Sequence, residues 1–230
     1  MSVTWPTAPT TSVRTAAASA VRDLLAHPLP LVAVNVLWGV VAFGAWLAAT
    51  IAEPLGVLLT LLLTWPTATI AAIACRVARG GEPVLRDAFR WPVGRPAVGV
   101  LGALALACAV VGVVDVQAAL ARGDLVGIAF ATLAGWGLVA LGILACVLWP
   151  LVGDPARAEL GIANLLRLAA TIALVRTPRV VVAWLRVGTL LAVSLVLAAA
   201  VVTVSVSLAA SFLARMMLPL ADETEPTSGA

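Results

Sequence analysis

Few side chains in this sequence could do chemistry, and none of them falls into a catalytic pattern. Asn35 lies just inside the first long apolar run, followed at helical spacing by Trp38, Ala42 and Trp46. A buried amide there either binds a substrate group or makes an interhelical hydrogen bond, worth about 0.6 kcal/mol on average. The second role is the expected one. Asp115 is an acid at the edge of an apolar run, where proton relay or cation binding would need a partner inside the membrane, and the sequence supplies no basic one. The single histidine is His27, and Cys75, Cys108 and Cys146 fall in three separate apolar segments. That pattern suggests neither a metal site nor a disulfide framework. There is no glycine-rich phosphate loop and no nucleophile paired with a histidine. The expectation is a protein that is not an enzyme and uses no cofactor.

The elements that carry these residues must be solvated by lipid. Of 230 residues, 63% are hydrophobic and only 11% charged, whereas a soluble domain carries about 25% charged residues. So few polar groups cannot cover a water-facing surface, so the bilayer is an expected partner. All fourteen basic residues are arginine. An arginine excess beside apolar runs is a topology signal, and no basic stretch is interleaved with aromatics outside those runs. Nucleic acid is therefore not an expected partner.

The fold class expected is all-α, a polytopic transmembrane bundle of five spans plus short interfacial helices. Residues 1–11 are rich in Pro, Thr and Ser and read as a disordered tail, followed by an amphipathic helix over 12–27. Spans are predicted at about 29–52, 55–75, 97–114, 125–149 and 187–214, since about 20 apolar residues cross a 30 Å hydrocarbon core. No charge interrupts the fifth from Val187 to Ala214, and its "VVTVSVSL" must be helical because a lone strand cannot satisfy its backbone in lipid. Interfacial helices are predicted at about 82–91 and 159–176, and the acidic residues 219–230 read as a second disordered tail. Trp65-Pro66 and Trp149-Pro150 place a proline inside a span, where it removes a backbone hydrogen bond and kinks the helix. Thr64 and Thr67 are candidates to satisfy the freed backbone.

Segment 159–176 decides the topology. As a span it would be among the shortest that can cross and would hold Arg167 near the bilayer centre, at a cost of about 2.5–3.5 kcal/mol. Asn164, Arg167 and Thr171 instead share one side of a helical wheel, as on an interfacial helix. With five spans and the N-terminus inside, Arg14, Arg22, Arg76, Arg79, Arg86, Arg90, Arg95, Arg157, Arg167, Arg176, Arg179 and Arg186 fall on the cytoplasmic side. Only Arg122 and Arg215 fall outside, with the acidic tail, in accord with the positive-inside rule.

The runs "LVAVNVLWGV", "TWPTATIAAIACRVARGGEPVLRDAFR" and "VLWPLVGDPARAELGIANLLRLAATIALVRTPR" carry a resemblance across roughly Leu29 to Arg179. In order and spacing they resemble the YesL-like bacterial membrane proteins (domain of unknown function 624). The matching positions are Asn35, Pro66, Gly81, Glu82, Leu85, Arg86, Asp87, Phe89 and Pro150, while Trp65 replaces a glycine common in that family. The resemblance implies a protein of a bacterial cytoplasmic membrane associated with carbohydrate ABC importers. The expected role is accessory or regulatory, with partner contacts through Glu82, Arg86, Asp87, Phe89 and Arg90 in one loop and through Asn164 and Arg167 in the other. The alternative is a permease subunit that itself moves a small solute.

Overall fold

The computed structural model of the chain describes residues 12–89, 96–196 and 204–225. The expected tail 1–11 and the candidate contact Arg90 lie outside them. Among the described residues the secondary structure is helical throughout, and five helices are long and apolar enough to cross a membrane. The fold class expected from the sequence is the one observed.

Helix α1 (Val13–Ala26) is capped by Ser12, whose hydroxyl accepts a hydrogen bond from the Thr15 amide at 3.2 Å. Helix α2 (Pro28–Ile51) is the first span. The second, Glu53–Ala78, is composite: α3 (Glu53–Leu59), one 3-10 turn (Thr60–Leu63) and α4 (Thr64–Ala78). The irregular turn lies just before Pro66, where the proline ring would clash with the carbonyl four residues back and where no N–H is available. The two threonines do not repair it. Among the described residues Thr64 Oγ1 has no hydrogen-bond partner, and Thr67 Oγ1 accepts from the indole of Trp38 at 3.0 Å. Gly80, at φ +78°, ends α4 in the left-handed conformation that glycine adopts without penalty.

The third span, Val98–Arg122, runs through α5 (Pro96–Ala109), a π-helical turn (Val110–Asp115) and α6 (Val116–Arg122). It extends about two turns beyond the predicted end at 114, carrying Asp115 and Gln117 on its exposed surface. Helix α7 (Leu125–Gly153) is the fourth span. It passes so close to α4 that a Cβ on Gly153 would stand 2.5 Å from the Ala71 carbonyl carbon. Helix α8 (Ile162–Val175) is 14 residues long, about 21 Å and too short to cross. A helix was predicted there, over 159–176, and one is present over a shorter range.

The C-terminal region differs from expectation. In place of one span over 187–214 there are two antiparallel helices, α9 (Thr177–Val196) and α10 (Val206–Thr224). The Ser205 hydroxyl lies 2.5 Å from that of Ser194, whereas eleven residues of continuous helix would separate them by about 16 Å. Arg186 and Leu190 of α9 and Leu208 and Phe212 of α10 line one shared groove. The predicted disordered tail is also corrected at 219–224, which forms the last turns of α10. Over 82–91 the expected helix is only a 3-10 turn, Leu85–Phe89, with Ala88 buried and Val84, Leu85 and Phe89 exposed.

Helix α10 is the centre of the packing: 14 of its 19 residues are buried. Small residues (Ala209, Ala210, Ser211, Ala214, Ala221) let neighbours approach, and Met216 and Met217 fill the remaining gaps. One face meets Leu31, Val34, Ile70, Ile73 and Val77 of α2 and α4; the other meets α1, α7, α8 and α9. Towards the opposite end, large apolar side chains stay exposed, including Phe43 and Trp46 on α2 and Phe130, Leu133 and Trp136 on α7. Such a belt suits lipid and not water.

The antiparallel pairing makes a direct prediction. A Ser194→Cys/Ser205→Cys protein, treated with a thiol oxidant, should form an intramolecular disulfide detectable by peptide mass spectrometry. A continuous helix through this region would give no such cross-link.

Candidate functional site

The ends of α4, α7 and α10 meet in a buried cluster of charge. Arg79 follows the last turn of α4, Asp154 follows α7, Arg157 closes the 3-10 turn Pro155–Arg157, and Asp222 lies in the last turn of α10. The side chains of Arg79, Asp154 and Arg157 are 2%, 0% and 3% exposed. Arg79 forks onto Asp154, with Nε donating to Oδ1 at 2.6 Å and Nη2 to Oδ2 at 2.7 Å. Its Nη2 also donates to Asp222 Oδ1 at 2.9 Å. Arg157 donates to Asp154 Oδ2 through Nη1, and through Nη2 to Asp222 Oδ1 and Glu225 Oε2, both at 2.8 Å. Asp154 Oδ1 further accepts from the Ala156 amide at 3.1 Å, which caps the turn that carries Arg157.

Two guanidiniums and two aspartates balance, with Glu225 at the rim. Burial alone would lower the pKa of Arg79. Its hydrogen bonds to Asp154 and Asp222, with their charge, outweigh burial and raise it above the ordinary arginine value. Arg157 shifts the same way: burial opposes, and Asp154, Asp222 and Glu225 prevail. Both stay cationic at any physiological pH. It can join three helix ends, and it presents no nucleophile.

Around the cluster lies a second set of pairs. Arg215 forks onto Asp23 of α1 at 2.7 and 2.9 Å and donates to the Ala78 carbonyl at the end of α4 at 3.2 Å. Arg176 meets Glu223 at 2.9 Å, largely in the open. Arg76 meets Asp87 at 2.7 Å, and Asp87 also accepts from the Val84 amide. Arg215 and the acids of α10 therefore stand at the same end of the bundle as Arg79 and Arg157. This corrects the expectation that they face the opposite side from the arginine-rich loops. The cause is the reversal between α9 and α10.

The described residues singled out from sequence fall into four groups. Asn35 is fully buried, its Oδ1 accepting from the Ser207 amide at 2.9 Å, while the Ser207 hydroxyl donates to the Leu31 carbonyl at 2.7 Å. It thus makes the expected interhelical bond. Pro66 and Pro150 are buried in the α4–α7 contact, where the Cys75 thiol donates to the Pro150 carbonyl at 3.2 Å and the Trp149 indole to the Thr67 carbonyl at 2.9 Å. Asp87 fastens its loop to α4. Glu82, Arg86, Phe89, Asn164 and Arg167 are exposed. Arg79, Asp154, Arg157 and Asp222 were not anticipated as a unit. The sequence signal was present, as three acid- or arginine-bearing segments, "RVARGG", "GDPAR" and "ADETE", each ending an apolar run.

Among the described residues no three His, Cys, Asp or Glu side chains stand together as metal ligands. Comparison with family models, curated proteins and solved structures finds no match to this chain.

The cluster ranks its substitutions. Asp154→Asn leaves two buried guanidiniums short of countercharge and should destabilise the detergent-solubilised protein by about 3–5 kcal/mol. Arg176→Gln breaks an exposed pair and should cost at most about 1 kcal/mol. Thermal unfolding of both variants, followed by circular dichroism, checks the order; equal melting shifts would show that the buried pairs do not hold the helices.

Proposed function

We propose that this chain is a YesL-like multi-pass protein of a bacterial cytoplasmic membrane that assists or regulates a carbohydrate ABC importer from its arginine-rich, cytoplasmic end. The observation that carries the reading is a division among the arginines at that end. Arg76, Arg79, Arg157, Arg176 and Arg215 are paired within the chain. Arg86, Arg167 and Arg179 are exposed and make no ion pair with the described residues. The first set makes the end rigid; the second is free to meet acidic groups of a partner, beside the exposed Val84, Leu85 and Phe89. The Arg215–Asp23 pair supports placing both terminal helices on the cytoplasmic side. Arg122 is then the one described arginine at the other end, a stronger positive-inside bias than the sequence count suggested.

A solute-moving subunit is the second reading. It is favoured by two crevices toward the far end, of about 480 Å³ and 830 Å³, which bring Asp115 and Arg122 into one and Glu53 and Gln117 into the other. Solute flux in vesicles reconstituted with this chain alone separates the two.

For the accessory role, Arg86→Gln combined with Arg167→Gln should weaken co-purification of importer subunits about fivefold, as expected for two exposed pairs of about 0.5 kcal/mol each. Sugar uptake in cells should fall with it. A pull-down that enriches no importer subunit, together with unchanged uptake in a deletion strain, would sink the proposal.

A further inference from the structure

We propose that the groove between α1, α9 and α10 is a binding site for one anionic phospholipid, with Arg186 holding the phosphate. The groove has a volume of about 390 Å³ and is walled by Ala17, Ala20 and Val21 of α1, Val187 and Leu190 of α9, and Leu208 and Phe212 of α10. Its polar groups are Arg186 and Thr189, and the Thr189 hydroxyl is already donated to the Leu185 carbonyl at 2.8 Å.

Arg186 is exposed, and the described residues offer it no ion pair. The nearest acid on α1, Asp23, is occupied on both oxygens by Arg215. Depth follows from the register of the hairpin. Ser194 bonds to Ser205, Arg186 lies eight residues before the one and Arg215 ten after the other. Both arginines therefore sit at similar heights, about 12–15 Å along antiparallel helices from the serine pair. The height is fixed by Arg215, which contacts the end of α4 at Ala78 and lies beside Asp23, just before the first span begins. That is the headgroup level, where lipid phosphates lie.

A guanidinium that faces lipid at this level needs an anion, and its planar fork matches a phosphodiester. Below it the apolar walls suit an acyl chain and offer nothing to a water-soluble ligand. Arg14, which shares the helical face of Ala17 and Val21, adds positive charge along the same side of α1. The occupant is thus a diacyl anionic lipid, not a free phosphate and not a neutral lipid.

Delipidated protein in detergent, titrated with phosphatidylglycerol or phosphatidylcholine and read by native mass spectrometry, tests the site. One phosphatidylglycerol should bind in preference to phosphatidylcholine. Arg186→Gln should abolish that preference, weakening phosphatidylglycerol about tenfold as expected for loss of a charged hydrogen bond. Arg186→Lys should keep most of it. Ala17→Phe, which fills the groove and leaves the charge, should weaken both lipids. Equal binding of the two lipids by the parent protein, or an Arg186→Gln protein that still prefers phosphatidylglycerol, would overturn the proposal. So would tighter lipid binding after deletion of residues 1–11, which would make that segment the natural occupant. Melting curves of each variant separate loss of the site from loss of the fold.

Discussion

Charge removed from water must find opposite charge, and at one end of this bundle that requirement fixes the fold. Arg79 and Arg157 are almost entirely buried, and Asp154 is completely so. Each would cost several kcal/mol if left alone. They come from segments far apart in the chain, so satisfying them demands that α4, α7 and α10 end at one place. Apolar packing alone would not do this, since helices in lipid gain little from burying leucine against leucine. The bidentate fork of Arg79 on Asp154 admits few registers, and Asp222 completes the arrangement only when α10 lies in one position.

With that end fixed, the remaining features follow from the solvent. Small and flexible side chains of α10 pack closely where six other helices converge, and the core forms there. Away from it, aromatic and aliphatic side chains of α2 and α7 remain uncovered by protein, as suits a lipid solvent. Asn35 and Ser207 show how polar groups survive in such a medium: amide, hydroxyl and backbone satisfy one another across α2 and α10.

The first four spans were legible because the length of an apolar run and the position of its flanking charges are local properties. Gly80 and Pro66 marked real breaks for reasons that a single residue carries. The hairpin of α9 and α10 was not legible. The run from Val187 to Ala214 contains one glycine near its start and no proline, so nothing local announces a reversal. The arginines that flank that run, Arg186 and Arg215, were read as opposite faces of a membrane, whereas they stand on helices that double back against each other. The serines at 194, 205, 207 and 211 were the available hint, since they have no reason to line a lipid-facing span. The ion cluster escaped for a related cause. Arginines beside spans were read one at a time as topology signals, and pairing between ends is a property of the assembled bundle.

Asp222 stands 143 residues beyond Arg79 in the chain. At synthesis rates of about 5–20 residues per second, Arg79 leaves the ribosome roughly 7–30 seconds before that carboxylate does. The early helices must therefore enter the bilayer with a guanidinium still awaiting one of its counterions, held meanwhile at the aqueous boundary. Closure of the bundle becomes a late event in biogenesis. A nascent chain cut short before α10 would display unneutralised arginines, a feature by which quality-control proteases could tell incomplete molecules from finished ones.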